Sequence, residues 1–591
     1  MPLIRGTGRR LLRRWSVPAF LALGTLAPAP TGPDYPRSQV GRFEVDGLDF
    51  RPDGAWRPGT DRVRTRRRAL LGRGQLARLN SPGLSASRVA GAFTVPVIPI
   101  AFANVAAPFP AASYHQVLFA TTPAPLPYSV RTYYAEASRG AVTIDGVVFG
   151  WVTADSSDEY YEDGCNGIGV LAACPHGARP LGELLLGALA RSDTGSTDWG
   201  LFDNDGADGQ PNSGDDDGVV DFVTFLQPEV DGACGTTNLW AHRYDVGAWS
   251  SGGYVTRSPR RDAQGLAIPG QFVRVRDYTL QSAVGGPDAC TAGQLMPVGT
   301  VSHETGHAFG LPDLYDTNLR SPAVTQGIGE WGIMGSGNYT QPYSPAGFDA
   351  WSLAELGWVA VDTVPTGGTV TVPPLASGDT VLALMVTGTD EYFLFENRQP
   401  IGSDTAQLNP ACTFRTRSCA KAPGLLLWHV DAGQVAAHGF RQGNAVNVGA
   451  VHGVALVQAD GLNQLRQPGS RNRGDGGDPW PGSSGATRFD ELTSPAAVDN
   501  QGRSAGFALD SIRQLAAGGA IAFRLTRTTP GTVLLTLAQA SDALVRRGTL
   551  TPVQVALLDS LGNGNGRYDS GDFLAWYRQQ LFTAAQQGRA P

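Results

Sequence analysis

His303, Glu304 and His307 stand together in the chain, and Asp313 follows six residues after the second histidine. Residues four apart on a helix share a face, so His303 and His307 can turn both imidazoles towards one metal ion. Glu304 lies beside them, placed to take a proton from a water that the metal activates. Gly310 lets the helix stop and the chain double back, because glycine adopts positive φ without strain. Pro312 rules out further regular helix, and Asp313 can then return as a third ligand. Three protein ligands leave one position open, which is the arrangement of a catalytic rather than a structural zinc. A bare His-Glu-x-x-His also occurs on helices whose polar residues merely face solvent, and the continuation through Gly310 and Asp313 argues against that. Glu330 is a rival third ligand downstream, but the short return from Gly310 to Asp313 and the turn that carries Met334 favour Asp313.

A second chemical signal is acidic. Asp203, Asp205 and Asp208 alternate with Asn204, Gly206 and Gly209, and Asp215 to Asp217 lead through Gly218 to Asp221. Alternate aspartates on a sharply turning backbone supply hard oxygens, which suits Ca²⁺, and Asp203, Asp205, Asp208, Asp217 and Asp221 are the expected ligands. The spacing departs from an EF-hand, since no glutamate closes a twelve-residue loop. Near the end of the chain Asn563, Asn565, Asp569 and Asp572 fall at alternate-oxygen spacing before an apolar helical run. They form a second candidate calcium loop, in which Leu561 occupies the position where an aspartate is expected unless Asp559 reaches in.

These groups need elements to hold them. The chain has 591 residues, 42% of them hydrophobic and 17% charged, with 76 Gly and 41 Pro, so several modules rich in turns and strands are expected. A net charge of −7 argues against a general nucleic-acid binder. Residues 1–29 read as an export signal: Arg5, Arg9, Arg10, Arg13 and Arg14, then the short apolar run Val17 to Leu26, then Ala27-Pro-Ala29. Residues 30–91, with the basic run Arg64 to Arg68, read as a propeptide or linker; lacking cysteine, it cannot cap a metal with a thiolate. Export suits the six cysteines, which pair by proximity in the sequence as Cys165 with Cys174, Cys234 with Cys290 and Cys412 with Cys419. Proximity alone leaves other connectivities open.

Val95 to Phe102 and Val219 to Phe225 read as buried strands, Val130 to Ser138 and Leu181 to Ala190 as helices, and Val142 to Val152 as strands around a turn. After Trp358 short alternating segments predominate, among them Gly368–Val372, Thr380–Val386, Glu391–Glu396, Gly424–Val430 and Val454–Val457, which suggests a β-sandwich-like module.

Several motifs resemble one family. They are the Asp-rich loop before Val219-Val-Asp221, Trp240-Ala-His242, the run from His303 to Asp316, the Met334 turn, Pro345 to Trp351 followed by Leu356-Gly-Trp358, Glu396 to Gln399, Gly424 to Asp431, and Gly474 to Gly482. Over about residues 92–525 the chain resembles the immune inhibitor A family of secreted bacterial metallopeptidases, a metzincin-like group. The resemblance implies His303, His307 and Asp313 as ligands of one catalytic zinc, Glu304 as general base, and Met334 packed beneath the metal. The last segment resembles a dockerin, which would imply a surface or cohesin-like partner, although a single loop replaces the dockerin pair.

The expected architecture is thus an α/β (α+β) metzincin-like zinc peptidase domain over 92–360, a β-rich module over 361–528 packed on it, and a small helical calcium-loop tail over 529–591. The expected function is secreted zinc-dependent endopeptidase, with Tyr315 or Tyr339 as candidate oxyanion donors. The alternative is a calcium-stabilised surface or adhesion protein with a non-catalytic metallopeptidase-like domain. The intact His303, Glu304, His307 and Asp313 argue against it.

Overall fold

Strand β1 (Gly91–Ala101) is buried at almost every position after its first two residues, as expected of a strand covered on both faces. The computed structural model that shows this describes residues 88–170, 172–206, 208–408, 421–439, 443–531, 533 and 535–586. The expected export signal, all but the last four residues of the segment 30–91, and Cys412 with Cys419 lie outside the described residues. The strand starts four residues earlier than the apolar run Val95 to Phe102 suggests. Val89 is already buried, and its N–H donates to the Leu356 carbonyl at 2.9 Å.

Five strands form the first sheet in the order β2 (Val142–Val148), β1, β4 (Val223–Gln227), β8 (Asp277–Ser282), β5 (His242–Asp245), and β3 (Val152–Thr153) pairs with the end of β1. All pairings are parallel except β5 with β8. The run 142–152 is therefore two pieces that both follow β1, not a hairpin. Strand β4 begins four residues later than the sequence suggests, because residues up to the buried Asp221 belong to the acidic loop. A hairpin of β6 (Tyr254–Arg261) with β7 (Ala267–Val275) and a short pair, β9 (Val284–Gly285) with β10 (Thr291–Leu295), lie outside this sheet.

Helices cover both faces. Phe93, Val95 and Val97 join a core with α1 (Ala112–Phe119), α2 (Val130–Ala137) and Val298, Val301 and Ala308 of α4 (Val298–Ala308). Ile98 and Ile100 join a second core with α3 (Arg179–Ser192) and Trp199. Helix α5 (Ala350–Leu356) adds Trp351 and Leu356 to the first core.

The β-rich part holds a five-stranded sheet, β11 (Ala360–Thr363), β13 (Thr380–Met385), β14 (Glu391–Arg398), β15 (Gly424–Asp431), β16 (Val454–Val457), antiparallel except β11 with β13. A three-stranded antiparallel sheet has the order β12 (Gly368–Val372), β18 (Ile521–Arg527), β17 (Phe507–Gln514). Phe393, Phe395, Leu425 and Leu427 pack with Phe507, Leu509 and Phe523 of the smaller sheet. The alternate residues Tyr392, Leu394, Leu426 and Trp428 pack into the core that holds α4. The large sheet is thus buried on both faces, and one face closes the floor of the peptidase-like part. Three helices end the described chain, α6 (Leu537–Leu544), α7 (Pro552–Leu561) and α8 (Ser570–Gln586), around Ala540, Leu558 and Trp576. Thr551 and Gln554 form the capping box of α7. No described helix is long and apolar enough to cross a membrane.

Candidate active site and metal centre

Helix α4 is buried on all sides; of its eleven residues only Thr300 is not fully enclosed. Its C-terminus is a Schellman turn, with Leu311 N–H donating to the Gly306 carbonyl at 3.1 Å and Gly310 N–H to the His307 carbonyl at 2.8 Å. Gly310 takes φ +86°, the conformation that the sequence required of it. The turn also supplies an acceptor, since His307 Nδ1 lies 2.7 Å from the Leu311 carbonyl. His303 Nδ1 lies 2.6 Å from the carbonyl of Ile333, in the turn that carries Met334. Carbonyls can only accept, so both histidines carry their proton on Nδ1 and present Nε2 to the centre.

Asp313 Oδ1 meets these nitrogens, at 3.0 Å from His303 Nε2 and 3.3 Å from His307 Nε2. Atoms bound about 2 Å from a tetrahedral ion stand about 3.3 Å from one another, so this spacing fits a zinc between them. The donor set fits as well: two imidazole nitrogens and one carboxylate oxygen, all buried, with the other ring nitrogens fixed by carbonyls. Burial opposes charge on His303, but the Asp313 hydrogen bond and the charges of Glu304 and Asp313 raise its pKa to about 9. Burial likewise opposes ionisation of Asp313, yet the charge of His307 and hydrogen bonds from both histidines hold its carboxyl well below the usual range. Glu304 Oε2 stands 4.0 Å from His307 Nε2, and burial pushes its carboxyl up to about 7.

Met334 is fully buried beneath this helix; a Cβ on Gly306 would lie 2.5 Å from its Sδ. Its carbonyl accepts the Leu314 N–H at 2.8 Å and so ties the turn to the chain that carries Asp313. Glu330 lies elsewhere, in a buried ion pair with Lys421 Nζ at 2.5 Å. His242, near the same centre, is buried with Nδ1 2.7 Å from the Trp240 carbonyl and Nε2 2.8 Å from Tyr278 Oη. Burial lowers its pKa to about 4, so it stays neutral. A cavity of about 470 Å³ opens over His303 and Glu304, lined also by Trp240, Tyr315, Tyr339 and Arg473.

The acidic loop brings carboxylate oxygens of Asp203, Asp205 and Asp217 within 4.8 Å of one another. Asp203 is fully buried, and neither of its carboxylate oxygens has a hydrogen-bond partner. Burial, then the charges of Asp217, Asp216, Asp205 and Asp221, raise its pKa to about 9. Asp221 is thus near enough to act on the cluster. Asp208 is not part of it: the residue is exposed, and its carboxylate caps its own turn by accepting the Gln210 N–H. Asp216, passed over in the sequence, is buried and accepts N–H groups from Gly206 and Ser213, which closes the loop. In the tail, the side-chain amides of Asn563 and Asn565 both donate to Asp569 Oδ2, and Asp572 accepts the N–H groups of Asn563 and Asp569. Those oxygens serve the loop's own closure. The cysteines pair as Cys165–Cys174 and Cys234–Cys290, and Cys290 lines the cavity.

Sequence reading missed Asn444, whose side chain contacts Asp313, and Asn447, which donates to the Leu314 carbonyl at 2.8 Å. It also missed Arg473 as a cavity residue. All three come from far along the chain, and no local pattern marks them.

Residues 107–356 match the family described as immune inhibitor A peptidase M6, catalytic domain. Pre-pro-metalloprotease PrtV of Vibrio cholerae serotype O1 is 28% identical over 233 residues, 38% of this chain and 23% of that protein. Immune inhibitor A of Bacillus thuringiensis subsp. alesti is 28% identical over 217 residues, 35% of this chain and 28% of that protein. The matched stretch spans about a quarter of the length of these curated relatives.

Proposed function

We propose that this chain, which carries a peptidase M6 domain of the immune inhibitor A type over residues 107–356, is a secreted zinc-dependent endopeptidase. The observation that carries this reading is the meeting of His303 Nε2, His307 Nε2 and Asp313 Oδ1, with Glu304 alongside, at the wall of a cavity large enough for peptide side chains. A zinc ion bound there supplies a Lewis acid that acidifies water and polarises the scissile carbonyl. The chain does the rest. The two histidines are held in one tautomer by the carbonyls of Ile333 and Leu311. Glu304, enclosed beside His307, accepts the proton of the attacking water and returns it to the leaving amine. Tyr315 and Tyr339 face the same cavity as candidate donors to the developing oxyanion. Strand β5 is the edge of its sheet, and Trp240 and Ala241 just before it line the cavity beside the proposed zinc position. In the same reading a Ca²⁺ ion bound by Asp203, Asp205 and Asp217 neutralises the acidic loop. The export reading of residues 1–29 supports secretion.

The test is casein hydrolysis by the purified mature protein and by Glu304→Ala, with and without phenanthroline. Hydrolysis by the wild type alone, lost on chelation and restored by zinc, is expected. Equal hydrolysis by Glu304→Ala, or activity indifferent to chelation, refutes the proposed roles.

A further inference from the structure

The proposed third metal ligand is held in part from outside the stretch that matches the peptidase domain. Asp313 N–H donates to Asn444 Oδ1 at 2.8 Å, and Asn444 Nδ2 donates to Asp313 Oδ2 at 2.8 Å. The two residues are 131 positions apart, and Asn444 lies beyond the stretch that matches the peptidase domain. We propose that Asn444, contributed by the β-rich part of the chain, is the positioning residue for the zinc ligand Asp313. The proposal rests on the zinc reading of the site.

The pair of bonds fixes the carboxylate in rotation. Oδ2 is engaged by Asn444, so Oδ1 is the oxygen turned to His303 Nε2 and His307 Nε2. Only a side chain with both a donor and an acceptor can serve the backbone N–H and the carboxylate at once. Asn444 is 1% exposed, so its bonds to Asp313 are made out of contact with bulk water. Its backbone sits at φ +54°, a conformation that asparagine tolerates better than most residues. Neighbouring bonds stiffen the arrangement: Thr317 Oγ1 donates to the Asn444 carbonyl at 3.0 Å, and Asn447, fully buried, donates to the Leu314 carbonyl. Residues 313–317 are thus clamped by residues 444–447. Zinc affinity should therefore depend on the β-rich part being folded and docked.

Two variants of the full chain separate this role from general support. Asn444→Gly keeps the positive φ and removes the side chain. Asn444→Asp keeps the shape and the acceptor but cannot donate to Asp313. Zinc affinity is measured by competition with a chelating dye, the ligand geometry by the visible absorption of the cobalt-substituted protein, and fold integrity by melting of the metal-free protein. The expected result is zinc binding weaker by about 10- to 100-fold in Asn444→Gly, and a cobalt spectrum altered in both variants. Wild-type affinity and a wild-type cobalt spectrum in Asn444→Gly overturn the proposal, whatever happens to the melting temperature. A wild type that takes up no zinc overturns the metallopeptidase reading and this inference with it. A wild type that binds zinc, beside an Asn444→Gly that binds it as tightly and with the same cobalt spectrum, overturns this inference alone.

Discussion

Replacing Asp203 by asparagine should stabilise the metal-free protein at high pH, although it removes a carboxylate from the acidic loop. Asp203 is fully enclosed, and its ordinary carboxyl value of 3.8 is raised to about 9, first by burial and then by the four aspartates around it. The folded chain therefore holds this proton more tightly than the unfolded chain does. Stability linked to the group is intact below about pH 4 and is lost steadily as pH rises towards about 9. At pH 7 the gap from the ordinary value is about three units, which at ~1.4 kcal/mol per unit is a loss of about 4 kcal/mol. Asparagine removes the titration but buries an amide without partners, at a cost of about 1–3 kcal/mol. The balance favours the variant at pH 7 to 8 and narrows to about zero near pH 5, where the titration cost is only about 1.6 kcal/mol. The assay is urea unfolding of metal-stripped wild type and Asp203→Asn between pH 5 and 8. The difference between them should grow by ~1.4 kcal/mol per pH unit. Added Ca²⁺ should stabilise the wild type, more strongly at pH 8 than at pH 5, and have little effect on the variant. A difference that does not change with pH, or an equal response of both proteins to Ca²⁺, would refute both the charge argument and the assignment of the site.

Two further outcomes follow from buried pairs. Lys421→Met removes the cation paired with Glu330, both side chains being fully enclosed, and should cost about 3–5 kcal/mol in urea unfolding; Lys421→Met with Glu330→Gln should recover most of the loss, and failure to recover would mean that Lys421 matters for packing alone. The Cys234–Cys290 bridge closes a stretch of 56 residues beside the cavity. Cys234→Ser with Cys290→Ser should lower stability by about 4 kcal/mol on the chain-entropy argument, and an unchanged unfolding midpoint would place that loop's order elsewhere.

What the sequence made legible is what the backbone keeps local. His303, Glu304 and His307 share a face because of helical geometry, and Gly310 and Pro312 announce the turn that returns Asp313. Those positions contain the return of Asp313 to the two histidines in their own spacing. The alternation of aspartates in the acidic loop announced a charge cluster but not its members, because spacing does not say which carboxylate turns inward. Asp208 caps its own turn at the surface, while Asp216 turns in to close the loop. The strands of the β-rich part were visible as short alternating runs, yet their alternation did not reveal two buried faces. In β14 the charged Glu391, Glu396 and Arg398 are enclosed with the apolar residues and satisfied by partners such as His429, Trp428 and Asp404. The same hidden face is what brings the β-rich part against α4, and with it Asn444 against Asp313. On the proposed reading a ligand set is complete in one short motif while its geometry is completed from more than a hundred residues away, where one asparagine on a turn has nothing in its neighbours to set it apart.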